Sequence, residues 1–134
     1  MPDSVLYIHP SKQGVDFDPG KLPMGRPYGL IPVGVIALAN LLEENGFGVS
    51  GLNYPLERVI NRQFNLREWL RGQHQARLVM IDLHWYEHCY GAIHTAKVCK
   101  EELPQALTLL GGLTASAYAK EILRDFPFVD LIIR

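Results

Sequence analysis

This sequence has no surplus of charge. Thirteen Lys and Arg stand against 14 Asp and Glu, a formal net charge of −1. With the signs balanced, there is no electrostatic footprint for nucleic acid or an anionic membrane, and neither partner is expected. Cysteine is scarce. Cys89 and Cys99 form neither a C-x-x-C pair nor the disulfide framework of a small secreted domain, so the expected compartment is a reducing one, the cytoplasm. The start, Met1-Pro2-Asp3-Ser4, has no basic segment followed by a long apolar one, so no signal peptide is visible. The apolar run Leu30–Leu42 is broken by Pro32, Gly34 and Asn40 and is too short to span a bilayer. Neither G-x-G-x-x-G nor a P-loop occurs, which leaves nicotinamide and ATP sites of those kinds unsupported.

What is present is an ordinary globular composition. The 134 residues are 48 % apolar. That suits one domain with a real core and excludes a disordered chain. Residues 1–134 are expected to form a single unit. The apolar end, Val129-Asp130-Leu131-Ile132-Ile133-Arg134, reads as a buried strand, and the expectation is an N-terminal piece of a longer chain.

The apolar pattern alternates between two periods. Val5–His9 reads as a strand, followed by about twenty unpatterned residues rich in Gly and Pro, long enough to suggest a functional loop. Val35, Leu38, Ala39 and Leu42 repeat at helical spacing, between Pro32 in a first turn and Gly46 past the end. Phe47–Asn53 reads as a strand, and Asn65 to Glu68 as a capping box that opens a short helix through Leu70. Arg77–Leu83 is the clearest strand. A helix over 88–102 follows, with Cys89, Ala92, Ile93, Ala96, Cys99 and Leu103 on one face. Ala106–Leu110 is a strand that ends in Gly111-Gly112. Ala119, Ile122, Leu123 and Phe126 mark a last helix before Val129–Ile133. Apolar strands alternating with helices predict an α/β fold: a doubly wound, five-stranded parallel sheet in the flavodoxin-like order 2-1-3-4-5. In that order ligands sit beyond the carboxyl ends of the strands, near the switch between the first and third.

The densest chemistry follows the third strand: Asp82-Leu83-His84-Trp85-Tyr86-Glu87-His88-Cys89-Tyr90. Its aromatics suit stacking on a flat ligand, or equally packing over the end of the sheet. His84 to His88 spells H-x-x-E-H, a zinc-hydrolase pattern, but the first His directly follows a strand instead of sharing a helical turn with the second. Asp82 stands where a receiver domain is phosphorylated, yet the acidic pair that would hold Mg²⁺ after the first strand is missing. Gly111-Gly112 allows close approach of backbone to a ligand, or a tight turn with Thr114 as helix N-cap. His9 is either a ligand-facing residue at the switch point or a turn residue. His74 and His94 read as surface histidines. Cys89 and Cys99 read as buried thiols, with a lowered pKa for Cys89 left open by its place near a helix N-terminus.

Two blocks together carry a family resemblance. Pro27-Tyr28-Gly29-Leu30 with Leu38-Ala39-Asn40-Leu41-Leu42-Glu43-Glu44-Asn45-Gly46 resembles a P-x-G-L…L-A-x-x-L-E-x-x-G pattern. Leu110-Gly111-Gly112-Leu113-Thr114-Ala115, then Glu121-Ile122-Leu123 and Val129-Asp130-Leu131-Ile132-Ile133-Arg134, resembles L-G-G-x-x-A-T…E-x-L…V-D-x-V-x-R. Both patterns belong to the cobalamin (B12)-binding domain fused in front of radical S-adenosylmethionine (SAM) enzymes. The resemblance implies a flavodoxin-like domain with cobalamin at its carboxyl edge. It marks His9, Pro10, Ser11, His84, Trp85, Gly111 and Gly112 as cofactor-binding, and assigns no catalytic residue and no protein metal ligand. It further implies a C-terminal radical SAM domain as partner in the same parent chain. The sequence departs from the pattern in two places. The cobalt-ligating D-x-H-x-x-G does not follow the first strand, where His9-Pro10-Ser11-Lys12-Gln13-Gly14 stands instead. Two cysteines cannot supply a C-x-x-x-C-x-x-C, so a [4Fe–4S] cluster and SAM are expected only outside this chain. The alternatives are a cofactor-free docking domain that pairs or dimerises through Val129–Ile133, and a zinc hydrolase using His84, Glu87 and His88.

Overall fold

A computed structural model describes residues 4–21 and 30–134. Pro23, Gly25 and the Pro27-Tyr28-Gly29 of the first motif block lie outside the described residues. Five strands, β1 (Val5–His9), β2 (Val49–Asn53), β3 (Leu78–Asp82), β4 (Leu107–Gly111) and β5 (Leu131–Ile133), form one parallel sheet ordered β2-β1-β3-β4-β5. The helices are α1 (Val33–Glu44), α2 (Tyr54–Ile60), α3 (Leu66–Arg71), α4 (Cys89–Glu102), α5 (Leu113–Ala117) and α6 (Ala119–Asp125). This is the flavodoxin-like architecture and strand order that the alternating pattern predicts.

The two faces of the sheet differ. Leu6, Ile8, Val79, Ile81 and Leu110 point to the larger core, which Ala92, Ala96 and Cys99 of α4 and Leu66 and Leu70 of α3 complete. Val5, Tyr7, Met80 and Leu109 point the other way, against Val35, Leu38 and Leu42 of α1. Among the described residues α1 is the helix that covers this second face. It leaves Leu107, Leu131 and Ile133 exposed along β4 and β5. The buried strand expected at Val129–Ile133 is therefore a short edge strand with only Val129 fully inside. Asp130 fixes its entry. Its carboxylate accepts from the Thr108 amide (2.7 Å) and from Lys100 Nζ (2.6 Å), which ties β5 to β4 and α4.

Local signals set the helix ends. Pro32 is the N-cap of α1, and Gly46, just past its end, has φ +87°, a conformation that favours glycine. Asn65 Oδ1 accepts from the Glu68 amide at 3.2 Å and starts α3 as expected. No apolar periodicity announces α2. Its cap is Asn53, whose side chain accepts from Leu56 N at 3.3 Å, with Pro55 in the first turn. The single last helix expected before β5 is two short ones, and Thr114 is not its N-cap. Gly112 holds that place, and Thr114 Oγ1 donates to the His84 carbonyl instead (3.0 Å).

The loop after β1 is packed over its described part. Val15 and Phe17 are buried, the Tyr54 hydroxyl donates to the Val15 carbonyl, and the Val15 amide donates to His94 Nδ1 at 3.2 Å. His94 is thus half-buried rather than a surface residue. Gly91 of α4 makes this docking possible, because a Cβ there would lie 1.5 Å from the Ser11 carbonyl oxygen. Gly91→Ala is expected to destabilise the fold by about 1–3 kcal/mol through overpacking. Gly34→Ala, in the first turn of α1 where nothing lies within 4 Å, should instead stabilise it by about 0.4–1 kcal/mol. Urea denaturation of the two variants checks the opposite signs.

Candidate functional site

Period two along β1 puts Tyr7 and His9 on the α1 side of the sheet. Register pairs Tyr7 with Met80 and Ile8 with Ile81, so Asp82, the last residue of β3, lies beside them. The Tyr7 hydroxyl donates to Asp82 Oδ1 at 2.5 Å. His9 Nδ1 donates to Oδ1 (2.8 Å) and Oδ2 (3.1 Å) of the same carboxylate. A carboxylate only accepts, so a proton is assigned to His9 Nδ1, which leaves Nε2 on the other side of the ring. That Nε2 is buried without a partner among the described residues, and so is His88 Nδ1. The two imidazole centroids are 5.4 Å apart. All four side chains are buried, His9 completely. Burial first, and then the Asp82 charge, pushes the Tyr7 phenol well above its usual pKa, so it stays a donor. Burial first, and then His9, holds His88 below the usual histidine value.

Tyr7 and Asp82 supply polar lining to a cavity of about 520 Å³ between α1 and the carboxyl edge of the sheet. Val35 and Leu38 of α1, with Met80 and Leu109 of the sheet, make its apolar walls. His84, Trp85, Gly111 and Gly112 line it as well, so four of the seven sequence-marked residues converge there. Trp85 is half exposed and stands edge-on to the His84 ring, with centroids 4.4 Å apart. The turn at Gly111-Gly112 is stapled to the end of β3. Leu83 N donates to the Gly111 carbonyl (2.7 Å), and Ala115 N donates to the Leu83 carbonyl (3.1 Å). Gly112 has φ +118°, and a Cβ there would stand 2.8 Å from the His84 backbone. Only glycine lets the turn press this close.

The other three marked residues are not on the cavity wall. His9 stands behind Asp82, Pro10 is buried, and Ser11 Oγ closes the loop onto the Gly14 carbonyl at 2.5 Å. Tyr7 and the α1 face join the cavity beyond the residues expected from the sequence. The available signal for Tyr7 was its place two residues before His9 in a strand.

The H-x-x-E-H pattern does not assemble. His84 is in a loop on the cavity, His88 packs on His9, and Glu87 pairs with Lys12 at 2.9 Å on the surface. No group of three or more His, Cys, Asp or Glu among the described residues is arranged to hold a metal ion. Burial raises the thiol pKa of Cys89 and Cys99, so Cys89 is not an activated thiol. A larger groove of about 600 Å³ lies between α4 and α6, lined by Tyr90, Tyr118, Phe126 and Phe128. Its walls are almost wholly apolar, and it contains none of the marked residues. No described helix is long and apolar enough to cross a membrane.

Two outcomes test the polar cluster. Tyr7→Phe removes a hydrogen bond to a buried charged group and should cost about 1.5–3 kcal/mol in urea denaturation. His88 binds protons less readily in the folded state than in the unfolded one. Its contribution to stability is therefore present above about pH 6.5, the unfolded histidine value, and is lost as pH falls through its lowered folded value. Unfolding midpoints should fall between pH 7 and pH 5, and His88→Leu should flatten that slope.

No protein-family model matches the chain, and no solved structure matches it. One stretch is similar to a curated protein, the anaerobic magnesium-protoporphyrin IX monomethyl ester cyclase of Cereibacter sphaeroides. The two are 40 % identical over 45 residues, which are 34 % of this chain and 7 % of that relative.

Proposed function

We propose that this chain is a cobalamin-binding domain that presents the cofactor to a radical SAM domain of the same parent protein. The observation that carries the reading is the carboxyl-edge cavity lined by His84, Trp85, Gly111 and Gly112. Those residues lie after β3 and at the end of β4, where the family resemblance expects the corrin and the nucleotide tail. The short similarity to an enzyme that acts on a magnesium tetrapyrrole supports a parent of the same kind.

The chemistry of the wall fits such a ligand. Its apolar sides favour a flat heterocycle, and the backbone around Gly111-Gly112 can approach a phosphate or ribose closely. The cavity is the size of a nucleotide-like tail, not of a whole corrinoid, so the macrocycle would lie across the edge, against exposed Trp85. His9 is a poor cobalt ligand, since its Nδ1 is committed to Asp82 and its Nε2 is buried beside His88. The domain would hold cobalamin without His9 on cobalt, in keeping with the missing D-x-H-x-x-G. Tyr7 and Asp82 would meet the polar part of the tail.

Exposed Leu107, Leu131 and Ile133 favour a second reading, a docking face for another domain or another copy. One experiment separates the two. Hydroxocobalamin mixed with the protein should remain bound after desalting, with a changed visible spectrum, and Trp85→Ala should weaken binding about tenfold or more through lost stacking. Full loss of the chromophore, together with dimers in analytical ultracentrifugation that Ile133→Lys abolishes, would favour docking instead.

A further inference from the structure

A smaller cavity, about 210 Å³, lies where the loop after β1 meets the end of α2 and the start of α3. It is separate from the carboxyl-edge cavity and its lining is mainly polar. Arg58, Arg62 and Arg67 all line it. Arg67 is already matched, donating to Glu101 (2.8 Å) and Glu102 (2.9 Å). Arg58 and Arg62 have no carboxylate partner among the described residues. The Asp16 carboxylate, the one acidic group in the lining, is 89 % exposed and stands 4.0 Å from His94.

Arg58 is held in place without being satisfied. Its guanidinium lies 5.4 Å from the Phe17 ring centroid, and its Nη1 donates to the Tyr54 hydroxyl at 3.4 Å. Tyr54 donates its own proton to the Val15 carbonyl, which leaves its oxygen free to accept. The Arg58 Nε–H is buried and has no acceptor. A buried charged donor without an acceptor is costly, and arginine cannot escape by losing its proton. An anion in the cavity would offset the charge that the guanidinium carries there.

We propose that this cavity binds a phosphate group carried by a small molecule. Two unmatched guanidinium groups suit a phosphate dianion, and their forks match its oxygens. The side-chain amides of Gln63 and Asn65 add donors in the same lining. Together these are more donors than the two oxygens of a carboxylate can use. The site does not depend on whether the carboxyl edge holds a corrinoid.

The test is calorimetric titration of the 134-residue protein with inorganic phosphate at constant ionic strength, with sodium acetate in a parallel run. Saturable one-site binding of phosphate is expected, with acetate at least about tenfold weaker. Arg58→Gln and Arg62→Gln should each weaken phosphate about tenfold or more. Arg124→Gln, whose side chain pairs with Asp125 on α6, should bind as the parent does. In nitrogen-15 spectra the Arg58 Nε–H should shift on titration. If Arg58→Gln does not fold, Arg62→Gln, an exposed position, decides the matter. Non-saturable binding, equal affinity for acetate, or unchanged binding by Arg62→Gln would overturn the proposal.

Discussion

The carboxylate of Asp82 organises the switch point of the sheet. A charge buried this deeply must be fully hydrogen-bonded, because bare burial costs several kcal/mol. Tyr7 and His9, two residues apart on β1, supply the donors from the adjacent strand. Replacing either end of this link would leave a buried polar group unpaired, so the end of β1 and the end of β3 are locked in one register. Everything at the carboxyl edge is hung from these two strand ends, including the α1-side cavity and the turn that carries Gly111 and Gly112.

That lock also sorts the histidines. His9 commits its Nδ1 to Asp82, its ring packs near His88, and its second nitrogen is buried without a partner among the described residues. It stands one layer behind the cavity. Tyr7 and Asp82 stand at the wall itself and give an otherwise apolar cavity one polar side. On the opposite face the loop after β1 is drawn against α4 by Gly91 and His94 and against α2 by Tyr54. The same packing that seals the core there also makes the arginine-lined cavity.

Much of the fold was legible because it is written in local periodicity. β1 and β3 are buried on both sides, and the Asn65 cap and Gly46 stop rest on neighbouring residues alone. What escaped were features with weak local patterns. α2 begins with a buried Tyr-Pro instead of an apolar stripe, and the strand expected at the end is present but has Leu131 and Ile133 exposed. The lining of the candidate cavity was half legible. His84, Trp85, Gly111 and Gly112 could be placed because they follow strands at the expected edge. His9, Pro10 and Ser11 follow a strand as well, but the turn of the chain there carries them inward, away from the cavity.

By itself, the sequence determined the alternation of strand and helix, the order of the sheet, and which segments reach its carboxyl edge. These depend on periods of two and of 3.6 residues and on caps a few positions apart. Tertiary structure alone decided that Tyr7 and His9 share one buried carboxylate, 75 and 73 residues away in the chain. It also decided that Gly91 touches the loop after β1, and that the Nε–H of half-buried Arg58 is enclosed without an acceptor among the described residues. Such contacts join residues distant along the chain, and no local pattern records the distance between two side chains before the sheet has brought them together.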